Sequence, residues 1–239
     1  MTAKDKIWVI IPAAGVGRRM GTDIPKQYLE LNNIPVIHHS INVFANHPAI
    51  AEIVVVLSKD DEYWSDLNIS QQKPLHIVDG GKERCDSVLN GLKFLNDKAG
   101  QNDWVLVHDA ARPCLRSDDL TLLLDTLINH ETGGILAIPV RDTMKRSVSV
   151  GDAHFITATV DRENLWHALT PQMFRFGMLY DALNKALTEN KMITDEASAI
   201  EAAGFQPVLV EGHADNLKIT HPDDLSLAAF YLRELKDKT

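Results

Sequence analysis

Short runs of consecutive aliphatic residues constrain this chain most. They are IWVII (Ile7 to Ile11), IVVVL (Ile53 to Leu57), LHIV (Leu75 to Val78), WVLV (Trp104 to Val107), ILAIPV (Ile135 to Val140) and PVLV (Pro207 to Val210). A strand with one wet face alternates apolar and polar residues, whereas a continuous run needs cover on both faces, as in a mainly parallel sheet. The segments between the runs supply that cover. Val36, Ile37, Ile41 and Phe44 share one helical face, as do Val88, Leu92 and Leu95. Leu120, Leu123, Leu124 and Leu127 make a third stripe, and Leu225 to Leu235 a closing helix. Strand and helix alternate, which predicts an α/β fold with helices on both faces of the sheet. No repeat, low-complexity tract or linker divides the 239 residues, so residues 1–239 read as a single domain.

One segment breaks the alternation. Residues Asp142 to Arg162 carry two β-type stretches around Gly151 and Asp152, with no helical face. This predicts a β-hairpin arm at about 142–162. A lone two-stranded hairpin is only marginally stable in water, so the arm needs something to lie against, and a second copy of the chain is the simplest candidate.

In open α/β sheets ligands bind beyond the carboxyl ends of the strands, and polar residues collect there. The first run leads into Pro12-Ala13-Ala14-Gly15-Val16-Gly17-Arg18-Arg19, with Lys26 soon after. This is neither a Walker loop nor a dinucleotide fingerprint, since Met20 stands at the third glycine of the latter. Its small residues still let backbone N–H groups approach an anion, with Arg18, Arg19 and Lys26 adding positive charge. A plain strand-to-helix turn with surface basic residues is the alternative. Gly80, Gly81 and Lys82 follow LHIV, His108-Asp109 and Arg112 follow WVLV, and Asp215 and Lys218 lie beyond PVLV. Asp109 is suited to hold a divalent ion between phosphates, with Asp215 as a second oxygen ligand; each could instead cap the segment that follows. Thr194-Asp195-Glu196 reads as a helix start, with Thr194 capping and two acids near the positive dipole end. A Ser87–His108–Asp109 hydrolytic triad lacks the strand–turn–helix elbow that such a serine needs.

Composition narrows the partners. A net charge of -9 argues against a nucleic-acid or anionic-membrane surface, but not against a small anion met by focused cations. Lys4 and Lys6 precede an apolar run, yet Pro12 interrupts it and arginines stand where a signal-cleavage site belongs, so the expected compartment is the cytoplasm. Cys85 and Cys114 fit no C-x-x-C pattern and read as two buried reduced thiols.

Taken together, PAAGVGRRMG, PKQYLEL, VDGGKERCDSVLNGL, VHDAARP, PVRDTMKR, TVDRENLWHALTPQMF, TDEASAIEAAG and VEGHADNLKIT resemble the 2-C-methyl-D-erythritol 4-phosphate cytidylyltransferases of the non-mevalonate isoprenoid pathway. The opening loop alone indicates only a nucleotidyltransferase; VHDAARP with TVDR and TPQ is more specific. The resemblance implies a Rossmann-like domain, a dimerising arm, CTP and Mg²⁺ as ligands, and release of pyrophosphate. It places the CTP site on Pro12, Ala13, Ala14, Gly15, Gly17, Gly81 and Ser87, and catalytic charge on Arg19, Lys26 and Lys218. Arg112, Thr143, Arg162 and Thr170 would grip methylerythritol phosphate, with Asp109 as the metal-linked acid. A ribitol 5-phosphate cytidylyltransferase shares the plan but is disfavoured by those acceptor-side residues. A nicotinamide-dependent dehydrogenase wants an acid ending the second strand, where Leu57-Ser58 offers none.

Overall fold

The computed structural model describes residues 5–15, 21, 24–67, 69 and 72–236. A seven-stranded sheet forms its centre. In chain order the strands are β1 (Ile7–Pro12), β4 (Glu52–Leu57), β5 (Leu75–Asp79), β6 (Trp104–Val107), β7 (Gly133–Pro139), β10 (Trp166–Arg175) and β11 (Val208–Glu211). Across the sheet they run β11-β7-β10-β6-β1-β4-β5. All neighbours are parallel except β10, which is antiparallel to β6 and β7. Two ribbons stand apart: a short hairpin of β2 (Glu30–Leu31) with β3 (Ile34–Pro35), and the arm of β8 (Met144–Val150) with β9 (Ala153–Val160).

Helices cover both faces, as the uninterrupted runs require. Ile7, Val9 and Ile11 pack with α1 (Val36–Ala45) and α3 (Ser117–Leu127), through Ile37, Ile41, Leu120 and Leu124. Trp8 and Ile10 point the other way, towards α2 (Arg84–Leu95), α4 (Phe176–Thr188) and α5 (Glu196–Ala202), through Val88, Leu92, Leu183 and Ile200. The last helix, α6 (Asp223–Lys236), closes a smaller cluster with Leu31, Val36 and Cys114. Gly91 sets how closely α2 approaches: a Cβ there would stand 2.9 Å from Ile10 Cγ2 and 3.2 Å from Val56 Cγ2. That approach holds the first turn of α2 beside the carboxyl end of β1.

The structure corrects several expectations. LHIV and PVLV form the edge strands and are partly exposed, with Ile77 and Leu209 both 44% exposed, so they are not covered on both faces. The strand β10 and the helix α4 are additions. Leu169 to Phe174 is a buried run broken by Thr170 and Gln172, whose polar atoms are satisfied inside the fold, so the apolar pattern hides it. Asp195, not Thr194, caps α5, accepting the Ser198 N–H at 2.9 Å. Both cysteines are free, Cys114 buried and Cys85 only half-buried. Among the described residues no helix is long and apolar enough to cross a membrane.

Candidate active site

A cavity of about 240 Å³ opens where the carboxyl ends of β1, β5 and β6 meet the first turn of α2. Backbone bonds close its rim: Ala13 N–H donates to the Val56 carbonyl at 2.7 Å, and Gly80 N–H to that of Leu57 at 2.6 Å. Gly80 is required by packing, because a Cβ there would lie 2.5 Å from Ala14 Cβ and 2.9 Å from the Leu57 carbonyl oxygen. At Gly15 a Cβ would meet nothing within 4 Å, so this glycine leaves open space on the cavity side. Ser87 accepts the Gly81 N–H and donates to the Glu83 carbonyl, both at 3.1 Å, fixing the loop against the helix start. The start of α2 is itself closed by a capping box, in which Asp86 Oδ2 accepts the Glu83 N–H at 3.0 Å.

Cations outnumber acids on the wall: Lys26, Lys82, Arg84 and Lys218 against Glu83 and Asp109. In a chain of net charge -9 this is a local reversal of sign. Lys26 donates to the Ile219 carbonyl at 2.8 Å, tying the opening segment to the last loop. Its neighbour Gln27, fully enclosed, donates to the Ala13 carbonyl at 2.7 Å.

Asp109 is the centre of the cluster. Arg84 Nε donates to Oδ1 at 2.8 Å, Lys218 Nζ lies 2.8 Å from Oδ2, and Arg112 Nε lies 3.7 Å from the same oxygen. Burial alone would raise its pKa, but Arg84, Lys218 and Arg112 hold it far below the ordinary carboxylate range. Asp109 is therefore ionised at any working pH. Behind it runs a chain of hydrogen bonds. Its N–H donates to Thr170 Oγ1 at 3.1 Å, and Thr170 pairs with His108 Nδ1 at 3.0 Å. His108 Nε2 faces the Arg112 carbonyl at 3.1 Å, which only an N–H can satisfy. The imidazole is thus neutral, with its proton on Nε2 and Nδ1 accepting from Thr170. Burial agrees, pushing the His108 pKa down to about 4.

The other expected site residues divide clearly. Pro12, Ala13, Ala14, Gly15, Lys26, Gly81, Ser87, Asp109 and Lys218 all line the cavity. Gly17 and Arg19 lie outside the described residues. Arg112 and Thr170 touch Asp109 from behind and do not line the cavity. Thr143 and Arg162 sit at the foot of the arm, both exposed, where Arg162 donates to the Arg141 carbonyl. Asp215 does not line the cavity either: its Oδ2 holds Arg116, with Nε at 2.8 Å. Ser87 and His108 bond to different partners, leaving no triad.

Gln27, Glu83, Ala110 and Ala111 also line the cavity without having been expected there, and an ion pair behind it was missed. Arg84 reaches Asp109, and its terminal nitrogens grip Glu196, at 2.7 and 3.0 Å. Glu196 is 1% exposed, a buried ion-pair partner rather than a surface acid near a helix dipole. The charge in GGKERCDSV and TDEAS marked both as ionic, but 112 residues of sequence separate them.

The profile of the family described as IspD: 2-C-methyl-D-erythritol 4-phosphate cytidylyltransferase matches residues 7–234. The chain belongs to this family. The enzyme of that name from Vibrio vulnificus is 53% identical over 96% of this chain and 95% of its own length. One from Escherichia coli is 52% identical over 95% of this chain and 93% of its own. Among solved structures, a 4-diphosphocytidyl-2C-methyl-D-erythritol synthase superimposes with a TM-score of 0.83 at 39% identity, covering 96% of this chain and all of its own. The enzyme from Francisella tularensis gives 0.81 at 36% identity, covering 95% of this chain and 99% of its own. The expected Rossmann-like nucleotidyltransferase architecture is thus the observed one.

Proposed function

We propose that this cavity receives CTP and that the enzyme joins it to 2-C-methyl-D-erythritol 4-phosphate, giving 4-diphosphocytidyl-2-C-methyl-D-erythritol and pyrophosphate in the cytoplasm. The observation that carries this reading is the cluster on Asp109: an ionised acid and Lys218 side by side on a wall of cations, at the edge of an α/β sheet. The Ala13 to Gly15 backbone, Gly81 and Ser87 face the nucleotide, and Lys26 lies along its triphosphate.

The attacking group is a phosphate monoester, whose second pKa near ~6 leaves it largely dianionic at neutral pH. It therefore needs no general base, which fits a site whose one histidine is sealed behind Asp109 and already committed to two bonds. The difficulty is to bring two polyanions together and to stabilise charge as oxygen displaces pyrophosphate in line at the α-phosphorus. Lys26 would take charge on the leaving phosphates. Lys218, fixed by Asp109 at 2.8 Å, would sit at the reacting phosphate.

Among the described residues no group of three or more His, Cys, Asp or Glu side chains converges as a metal cage. The hard, ionised carboxylate of Asp109 on the cavity wall instead fits the Mg²⁺ habit of one protein carboxylate plus substrate phosphates. Asp109 would hold such an ion, which when bound would neutralise phosphate charge.

The arm completes the proposal. Val150, Phe155 and Ile156 are 64, 56 and 67% exposed on a ribbon that, among the described residues, pairs with no other strand. A second copy of the chain would cover them. Thr143 and Arg162, at the foot of the arm, would then enter the other subunit's cleft to grip the acceptor, whereas Thr170, enclosed and bonded to Asp109 and His108, would act from behind the wall. Mass spectrometry of products from CTP with a panel of polyol phosphates tests the central reading. A cytidine diphosphate adduct formed chiefly from methylerythritol phosphate supports it; equal turnover of ribitol 5-phosphate would refute the acceptor assignment.

A further inference from the structure

Arg84 and Glu196 stand outside the roles assigned so far. The guanidinium shares its donors unequally: Nε goes to Asp109 and both terminal nitrogens go to Glu196. Glu196 is rigid in turn. It is the first residue of α5, and the helix start is joined to β10 through Gln172, whose Oε1 accepts the Ala197 N–H and whose Nε2 donates to Asp195, each at 2.9 Å. The line Gln172, α5, Glu196, Arg84, Asp109 is thus a brace from the sheet to the cavity wall.

We propose that Glu196 is a positioning residue for Asp109, acting through Arg84. The physical reason is competition for the Asp109 oxygens. An arginine fork free of other partners grips a carboxylate with two parallel N–H bonds. Glu196 occupies that fork, so Arg84 offers Asp109 one bond, on Oδ1, and leaves Oδ2 to Lys218. Without the Glu196 charge, Arg84 would turn its fork on Asp109 and displace Lys218 from its place at the cavity. Glu196 also offsets one of the positive charges packed around a single aspartate. Chemistry would suffer more than nucleotide binding, since the Ala13 to Gly15 backbone, Gly81, Ser87 and Lys26 keep their positions.

This inference rests on the reading of Asp109 and Lys218 given above, and a double-mutant cycle in kcat tests it. Glu196→Gln, Arg84→Met and the combined variant are compared with wild type, with folding followed by thermal unfolding. Glu196→Gln is expected to lower kcat by about 10-fold or more, as for small misplacements of catalytic groups, with the KM for CTP held within about twofold. If Glu196 acts through Arg84, the combined variant is no worse than the poorer single one, because the coupling is already gone. Glu196→Asp should recover part of the loss. Effects that multiply in the combined variant, or a fall in kcat that tracks only the loss of folded protein, would overturn the proposal. Should Glu196→Gln not fold, Arg84→Lys with Glu196→Asp runs the same cycle. An Asp109→Asn control separates the two levels: full activity would refute the site reading itself, whereas inactivity with a multiplicative cycle refutes only the brace.

Discussion

Replacing His108 with Gln should change how stability depends on pH more than it changes stability at neutral pH. The ring is fully enclosed, donates through Nε2 to the Arg112 carbonyl, and accepts from Thr170 through Nδ1. Adding a proton would place a second donor against a hydroxyl whose oxygen already accepts from Asp109, in a fully enclosed site. Burial accordingly lowers the His108 pKa from 6.5 to about 4. The folded pKa lies below the unfolded one, so the sign follows directly. Above pH 6.5 both states are neutral and the group adds no slope. As pH falls towards 4, the unfolded chain takes a proton that the folded chain refuses, and stability is lost. At 1.36 kcal/mol per unit, the full window is worth about 3 kcal/mol. Gln keeps one donor for the Arg112 carbonyl but leaves the Thr170 hydroxyl without its acceptor, a loss of about 1 kcal/mol at every pH. Urea unfolding of both metal-free proteins, from pH 7.5 down to about 4, measures the difference, and the other histidines cancel in it. The wild type should be the more stable above pH 6.5, with the two converging and then crossing below it. Parallel curves would mean that His108 titrates normally and that the chain of bonds behind Asp109 is wrongly drawn.

The parts of this molecule that announce themselves in sequence obey local rules. IWVII and WVLV are central strands whose unbroken apolar runs are buried under helices on both faces. The Gly15 loop, Gly81, Asp109 and Lys218 could be grouped because topology sends the carboxyl ends of parallel strands to one edge. What stayed hidden depends on pairing across distance. Strand β10 escaped because Thr170 and Gln172 are buried polar residues, satisfied by Asp109, His108 and α5 only once the chain has folded. LHIV and PVLV look like central strands, and only the sheet order makes them edges. Glu196 is the sharpest case. An acid in the first turn of a helix has a sufficient local explanation in the dipole, and no local rule says that an arginine on α2 will meet it. Asp215 shows the converse, a loop acid whose apparent freedom is taken by Arg116.

Lys26→Ala and Arg19→Ala should each lower kcat by ~10²-fold or more, the scale for removing one preorganised charge, with folding intact; near-normal kcat in both would reduce the opening loop to a turn. Cys114 is fully enclosed and its thiol is pushed up to about 12 by burial, so at pH 8 only about 10⁻⁴ of it is thiolate. Iodoacetamide should therefore modify it only in denaturant, and rapid labelling of the native protein, read by mass spectrometry, would contradict its packing. The arm makes the most demanding prediction. If Arg162 of one subunit serves the cleft of the other, Arg162→Ala should weaken acceptor use while leaving CTP binding intact. An Arg suits that task because its planar fork grips a phosphate through two bonds. Mixing Arg162→Ala chains with Lys26→Ala chains then separates the two architectures. Random pairing makes half of the dimers mixed, and each mixed dimer carries one site with both lesions and one with neither. About a quarter of wild-type activity should therefore return from two nearly inactive proteins, following the two-fold symmetry of the pairing. If mixed dimers are shown to form by native mass spectrometry and no activity returns, each cleft is built from a single chain and the arm serves packing alone.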